Sequence, residues 1–143
     1  MPDPIQVKRQ ALSDIRSVLN TIHAKARVQI EQAHSAINEL RRRLEDQKRY
    51  WMQRRDQAER DLARCRASGS PDGPPPDCST HERALQEAMA AIRTIEGLIA
   101  RLEQAVSAYT PFRDQLNHVI EKEIPQAVSF LDQHITHVDH YGT

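Results

Sequence analysis

The sequence predicts an all-α protein, a long helical hairpin whose two arms pack as an antiparallel coiled coil. Residues 5–66 contain neither Gly nor Pro, whereas the eleven residues after them contain two Gly and four Pro. On both sides of that breaker, apolar residues recur every three or four positions, which is the period of a helix face. Only 4% of the residues are aromatic and 28% are charged, which favours long two-faced helices over a deep globular core.

Length and charge narrow the class of protein further. A chain of 143 residues suits a single domain and is too short for a barrel or a two-domain enzyme. Its 20 basic and 20 acidic residues argue against a chain built mainly to bind nucleic acid. No apolar run approaches the roughly 18 residues of a membrane span, and the amino terminus lacks the apolar core of a signal peptide. The expected location is therefore the cytoplasm, with leaderless export as the alternative.

The expected single domain has four parts: a first arm over 5–66, a loop over 67–78, a second arm over 79–109 and a C-terminal helix over 111–141. Ser79 and Glu82 have the spacing of a capping box at the start of the second arm. Thr110 followed by Pro111 resembles a fresh helix start, so we expect a break or sharp kink there. Pro125 lies inside continuing apolar periodicity and predicts a kink within one helix.

The spacing also predicts which residues of each arm face the other. The first-arm seam is predicted to run through Leu12, Ile15, Leu19, Ile22, Ala26, Ile30, Ala33, Ile37, Leu40, Leu44, Gln47, Trp51, Arg54, Ala58, Leu62 and Cys65. The second-arm seam is predicted to run through Cys78, His81, Leu85, Ala88, Ile92, Ile95, Ile99, Leu102, Val106 and Tyr109. When the two series are aligned in opposite directions, the residue numbers of facing positions add up to a nearly constant value. Two antiparallel helices of a coiled coil are expected to show this pattern.

The C-terminal helix carries an apolar stripe that predicts a partner or self-association face. Its members are Phe112, Leu116, Ile120, Ile124, Phe130, Leu131, Ile135 and Val138. With neighbouring apolar residues it is wider than a two-helix seam, as is the start of the first arm, so something more must cover it. A fold-back of the chain, a homo-oligomeric four-helix bundle or a client helix would each satisfy this requirement.

Two groups of residues could carry chemistry. Cys65 and Cys78 bracket the loop in one register, so they would form either a disulfide staple or a pair of reduced thiols. His134, His137 and His140 are spaced so that their rings fan around a helix, which favours solvated side chains over a metal site. The sequence holds no Gly-rich phosphate loop and no recognisable catalytic constellation, so we expect neither an enzyme nor a cofactor or metal.

The strongest local charge lies in the stretch 41–66, which contains ten basic and five acidic residues. Its candidate nucleic-acid patch consists of Arg41, Arg42, Arg43, Arg49, Arg54 and Arg55. Such residues could grip phosphates along a helix. The interleaved acids favour a solvated helix face with ion pairs at spacing i,i+4, which makes nucleic acid an unlikely partner.

A set of short motifs resembles one group of proteins. These motifs are Leu62-Ala63-Arg64-Cys65-Arg66, Pro76-Asp77-Cys78-Ser79, Glu82-x-Ala84-Leu85, Ile124-Pro125-x-Ala127 and Phe130-Leu131. They are similar to uncharacterised bacterial helical-hairpin proteins found in toxin or secretion gene neighbourhoods. The resemblance implies no active site. Together with the amphipathic arms, it predicts a non-enzymatic module that binds protein partners as an adaptor, a chaperone or a structural subunit.

Overall fold

The structure, a computed structural model, describes residues 3–141 and confirms the all-α helical hairpin. Helix α1 spans Pro4–Ala67, α2 spans Ser79–His118 and α3 spans Ile124–Tyr141. A π-helical turn, Val119–Glu123, joins α2 to α3. Residues 3–141 contain no β-strand.

The chain divides into two compact units, and α1 contributes to both. The terminal unit combines the chain up to Ser35 with the chain from Ser107 onward. The loop unit is continuous, from Ala36 to Val106. Each unit therefore contains part of α1 and part of the chain that follows the loop.

The loop begins and ends within one residue of its predicted boundaries, but its cap differs from the prediction. At the end of α1 the Ser68 hydroxyl donates to the Cys65 carbonyl oxygen at 2.6 Å. The expected Ser79–Glu82 capping box is absent, because Asp77 supplies the cap: its Oδ1 accepts from the Ser79 backbone N–H at 3.1 Å. Hydrogen bonds from Ser79 lower the pKa of the Asp77 carboxyl group. A carboxylate at this position also interacts favourably with the positive end of the helix dipole.

The predicted helix boundary at Thr110–Pro111 is wrong. Pro111 lies inside α2, which continues for seven more residues to His118. Proline lacks one backbone donor and crowds the preceding turn, yet a helix already formed on both sides can absorb that loss. The C-terminal helix that we placed over 111–141 therefore consists of the end of α2, the π-helical turn and α3.

The irregular turn occurs before the other proline. In the π-helical turn, the backbone N–H of Ile124 donates to the carbonyl oxygen of Val119, five residues earlier. Pro125 follows immediately, and its ring would press on the carbonyl group of Glu121 in a regular α-helix. A wider turn relieves that crowding while the chain stays helical. The sequence predicted a kink at Pro125, and the structure has a π-helical turn that ends two residues before this proline.

None of the residues predicted for the second-arm seam is exposed. Ala88, Ile92 and Ile95 are buried, and the remaining predicted positions from Cys78 to Tyr109 are buried or half-buried. In the loop unit, α1 contributes Ala58 and Leu62 to the same core. The core of the terminal unit contains Ile120, Ile124, Leu131 and Ile135.

The seam predicted for the first arm is wrong at five positions. Ile15, Ile22, Leu40, Gln47 and Arg54 are exposed, and in each case the next residue takes the half-buried position. These next residues are Arg16, His23, Arg41, Lys48 and Arg55. Both alternatives keep the three-and-four spacing, so periodicity could not choose between them. Arg and Lys have apolar stems that can lie along a seam while the charged group reaches solvent.

Replacing Ile120 tests where the terminal core lies. Ile120 is 1% exposed, so Ile120→Ala should lower the free energy of unfolding by about 2–4 kcal/mol, the usual cost of emptying a buried site. The matched control is Val28→Ala, because Val28 is 49% exposed and its loss should change stability by about 0.5 kcal/mol or less. Urea denaturation followed by circular dichroism, at one protein concentration, measures both. Equal losses for the two variants would contradict the assigned core.

Candidate protein-binding surface

One set of exposed apolar side chains in the terminal unit follows a simple rule. Each member directly precedes a buried or half-buried seam residue, as Ile15 precedes Arg16 and Phe130 precedes Leu131. We call this set the apolar flank; it consists of Ile15, Val18, Ile22, Phe112, Leu116 and Phe130. Val18 and Phe130 are among its most exposed members, at 57% and 58%. Large apolar surface of this kind marks an interaction site more often than a plain solvated surface.

The residues that directly follow the seam have the opposite character. We call them the polar flank; its members include Ser13, Ser17, Asn20, Ser129, Asp132 and Thr136. A right-handed α-helix advances about 100° per residue, so residues before and after a seam position project to different sides of the helix. Acidic residues that follow the seam also pair with α1, since Arg16 Nη1 lies 2.7 Å from Asp132 Oδ1 and the exposed Arg9 pairs with Asp139.

The structure divides the stripe predicted on the C-terminal helix into two sets. Ile120, Ile124, Leu131 and Ile135 are buried within the terminal unit and Val138 is half-buried. Phe112, Leu116 and Phe130 remain exposed.

The α1 members Ile15 and Ile22 belong to the exposed set, although the periodicity had placed both of them in the seam. In residues 3–141 the chain passes from α2 through the π-helical turn into α3 and stays helical, so the fold-back considered from the sequence does not occur there.

Phe130, an exposed aromatic residue of α3, contacts the ring of its neighbour His134. The rings of Phe130 and His134 lie with their centroids 4.2 Å apart, tilted by 38°. His134 Nδ1 lies 3.2 Å from the carbonyl oxygen of Phe130. A large apolar side chain with restricted motion loses little entropy when a partner covers it, which favours binding.

The candidate basic patch lies in the loop unit, and each of its six arginines has a partner there. Arg41 binds Glu103 through two hydrogen bonds, Nε to Oε1 at 2.7 Å and Nη2 to Oε2 at 3.0 Å. Arg42 and Arg43 both bind Glu39. The other three pairs are Arg49 with Asp46, Arg54 with the Tyr50 hydroxyl oxygen, and Arg55 with Asp56.

These pairs change the titration of their members in the expected directions. The hydrogen bond from Arg41 lowers the pKa of Glu103, and that from Arg42 lowers the pKa of Glu39. The carboxylates in turn raise the pKa of Arg41 and Arg42. Arginines already engaged by carboxylates must give up those partners before they can bind phosphate, which weakens the nucleic-acid interpretation.

Arg54 is also held by aromatic rings. Its guanidinium carbon lies 5.5 Å from the ring centroid of Tyr50 and 5.7 Å from that of Trp51. The two rings meet edge to face, with centroids 5.3 Å apart. Cations within about 6 Å of an aromatic face are attracted to it. Trp51, which the sequence placed in the seam, is half-buried there.

Cys65 and Cys78 are joined by a disulfide bond in the structure. Their Cα atoms lie 5.9 Å apart, at the distance usual for bonded cysteines. Between them the loop folds back on itself, so that a Cβ atom at Gly69 would lie 2.9 Å from Cδ of Pro76. The register shared by the two cysteines was the sequence signal for this pairing.

The remaining chemical candidates do not form a site. Within residues 3–141, no three side chains of the metal-binding types His, Cys, Asp and Glu come together to hold an ion. The C-terminal histidines at 134, 137 and 140 therefore form no such cluster. None of the helices in this part of the chain combines the length and the apolar content of a membrane span.

No family model, curated protein sequence or solved structure matches this chain. The interpretation of the surface therefore depends on the chemistry of its residues.

The disulfide predicts a redox-dependent stability. The two cysteines are 13 positions apart, and a cross-link that closes a loop of this size stabilises by about 3 kcal/mol through the unfolded chain. Reductant should therefore lower the melting temperature of the oxidised wild type and leave a Cys65→Ser/Cys78→Ser variant unchanged. Non-reducing mass spectrometry should show an intramolecular bond. Finding only adducts between chains would contradict the pairing.

The Arg41–Glu103 pair predicts a pH-dependent contribution to stability. Because the folded-state pKa of Glu103 is lowered, its stabilising effect is present above the ordinary carboxyl pKa near 4.5 and is lost as pH falls through the lowered value. Glu103→Gln should lower the melting temperature at pH 7, and the difference should vanish in acid. Glu59→Gln is the control, since Glu59 makes no ion pair with the residues that the structure describes. A pH-independent difference for Glu103→Gln would contradict the assignment.

Proposed function

We propose that this chain is an antiparallel coiled-coil hairpin that works as a non-enzymatic protein–protein interaction module. It binds its partner through the apolar flank of the terminal unit, as an adaptor, a chaperone or a structural subunit of the kind of bacterial assembly that its sequence resemblance implies. The observation that carries the proposal is the contrast between the exposed apolar residues before the seam and the polar residues after it.

The ion pairs within each unit support the antiparallel arrangement. In the loop unit, Arg41 pairs with Glu103 and Lys48 with Glu96, so residue numbers rise in α1 as they fall in α2. In the terminal unit the same holds for Arg9 with Asp139 and Arg16 with Asp132. A parallel pair of helices would make both series rise together.

An antiparallel pair explains why the flank can act as one surface. Within a helix, all residues that directly precede the seam lie on the same side of it. When the second helix runs the other way and faces the first, its own preceding residues come to the same side of the pair. Ile15, Val18 and Ile22 of α1 thus lie beside Phe130 of α3, on one broad side of a two-helix layer.

The loop unit supplies a contrasting surface on the same helix. Its α1 positions that precede the seam include Leu40, Gln47 and Arg54, so the apolar character is diluted by polar and charged groups. Before the seam the loop unit exposes the large side chains of Leu40, Tyr50 and Leu98, against six such residues in the terminal unit. This restricts the proposed interaction to the terminal unit, and the paired arginines of the loop unit do not favour the alternative of nucleic-acid binding.

Site-specific photo-crosslinking tests this proposal. A photoreactive phenylalanine analogue at Ile22 should form adducts with protein in an extract of the natural source, because this position faces the proposed partner. The same analogue at Val28 is the matched control: both residues are 49% exposed on α1, but Val28 lies midway between the seam residues Ala26 and Ile30. A second control at Ser17 probes the polar flank.

The pattern of adducts decides the outcome. Adducts at Ile22 that are absent at Val28 and Ser17 support a binding surface on the apolar flank. Equal labelling at the three positions, or adducts with nucleic acid in place of protein, would overturn the proposed function.

A further inference from the structure

We infer that the partner covering the apolar flank is a second copy of this chain, packed so that α1 of one copy lies on the α2–α3 segment of the other. This inference rests on the proposed function, which assigns the flank as a binding surface. The resulting assembly is a symmetric dimer whose two terminal units form a four-helix bundle.

The angular position of the exposed residues favours a partner two helices wide. Relative to the midline of the seam, Ile15 and Ile22 lie about 75° round the helix, and Val18 lies about 130° round it. A single helix in the groove between α1 and α3 would approach at roughly 60° and leave Val18 and Phe130 uncovered. A second two-helix layer would approach each helix at roughly 90° from the midline of the seam. It would cover Val18 and Phe130 as well as Ile15 and Ile22.

The charged residues beside the apolar flank identify that layer as another copy. Arg9 and Arg16 of α1 are already paired with Asp139 and Asp132 within the chain. Two oppositely charged residues directly precede the seam on the side of the apolar flank, Lys25 on α1 and Glu123 at the end of the π-helical turn, and Glu123 also lies 3.8 Å from His118. A two-fold axis parallel to the helices places α1 of one copy against the α2–α3 segment of the other, so that Lys25 and Glu123 meet twice between the copies.

The alternative stacking of α1 on α1 would not bring Lys25 of one copy to Glu123 of the other. An unrelated client would need its own acidic group opposite Lys25 and its own basic group opposite Glu123. The geometry and the charge thus point to the same arrangement of two copies.

One charged pair marks the register. Lys25 follows Val18 by seven residues and Glu123 precedes Phe130 by seven, so both extend the flank at equivalent positions. Their residue numbers have the same sum as those of the pairs Arg9–Asp139 and Arg16–Asp132, which places them at the same level along the unit. In the dimer, Lys25 of each copy faces Glu123 of the other.

Sedimentation of the full chain over a concentration series is the first test. The wild type should sediment as a dimer, and Ile22→Glu should convert it to a helical monomer at the concentrations where the wild type is dimeric. Val28→Glu is the matched control and should remain dimeric, because Val28 has the same exposure but lies outside the flank. Circular dichroism confirms that each variant keeps its helices.

A charge exchange between two separately purified variants is the second test. Lys25→Glu alone and Glu123→Lys alone should each weaken self-association, since each homodimer then contains two like-charge contacts. When the two variants are mixed, both contacts become favourable, so a heterodimer should form in excess of the statistical half. Mixing cannot alter contacts within a chain, so only the proposed contact between copies produces this excess.

The outcomes separate this inference from the proposed function. A wild type that stays monomeric while Ile22 still crosslinks another protein would overturn the second copy as partner and leave the binding surface in place. A dimer that survives Ile22→Glu would remove the flank as the interface between copies and overturn this inference, while the crosslinking at Ile22 would still decide the proposed function. A dimer lost with Ile22→Glu but without preference for the mixed heterodimer would overturn the proposed stacking of α1 on the α2–α3 segment.

Discussion

At alternate seam positions of α1, the apolar stem of an Arg or Lys side chain is half-buried while its charged group reaches solvent. This arrangement determines which residues of α1 lie on the surface of the hairpin. Arg16, Arg41, Lys48 and Arg55 are half-buried where periodicity alone admits Ile15, Leu40, Gln47 and Arg54 equally well. Arg16, Arg41 and Lys48 each reach a carboxylate on the chain beyond the loop. A stem that lies along the seam replaces an apolar side chain there and displaces it to the flank.

The same replacement of one seam residue by the next gives different surfaces in the two units. In the terminal unit the displaced residues are Ile15, which precedes Arg16, and Ile22, which precedes His23, so polar seam residues leave apolar ones on the flank. In the loop unit they include Gln47 and Arg54, and the flank remains polar. The exposed ion pairs themselves add little stability, because solvent screens them. Their larger effect is on register, since they select one of two seams that hydrophobic spacing leaves equivalent.

The sequence predicts the helices, the loop and the whole second-arm seam because these depend on local signals. Gly and Pro end helices wherever they cluster. In the second arm the apolar residues Ile92 and Ile95 keep the buried positions, although Arg93 and Glu96 follow them. The first-arm seam could not be predicted in the same way, because the choice between Ile22 and His23 depends on the helix packed against them. The helix boundary predicted at Pro111 was wrong for a related reason. The free-energy cost of a proline inside a helix is local, but the packing that offsets this cost depends on the rest of the fold.

The candidate surface required the structure for the same reason. Phe130 and Leu131 are adjacent and both apolar, so the sequence assigned them to one face. The structure buries Leu131 in the core and leaves Phe130 exposed. The wide apolar stripe predicted from the sequence therefore consists of two narrower surfaces. One is buried within the terminal unit, and the other is exposed.

A layer of two helices can enclose few side chains from every direction, and this limits what the terminal unit can do alone. Among the described residues only Ile120 is a large side chain that is fully buried, and it lies in the π-helical turn. Apolar burial is the main favourable contribution to folding, so a second layer on the apolar flank would deepen a core that is otherwise one side chain thick. Association would then stabilise the folded chain as well as recruit a partner. Folding and binding would then depend on neighbouring residues, since Ile22 and Phe130 are exposed directly beside the seam residues His23 and Leu131.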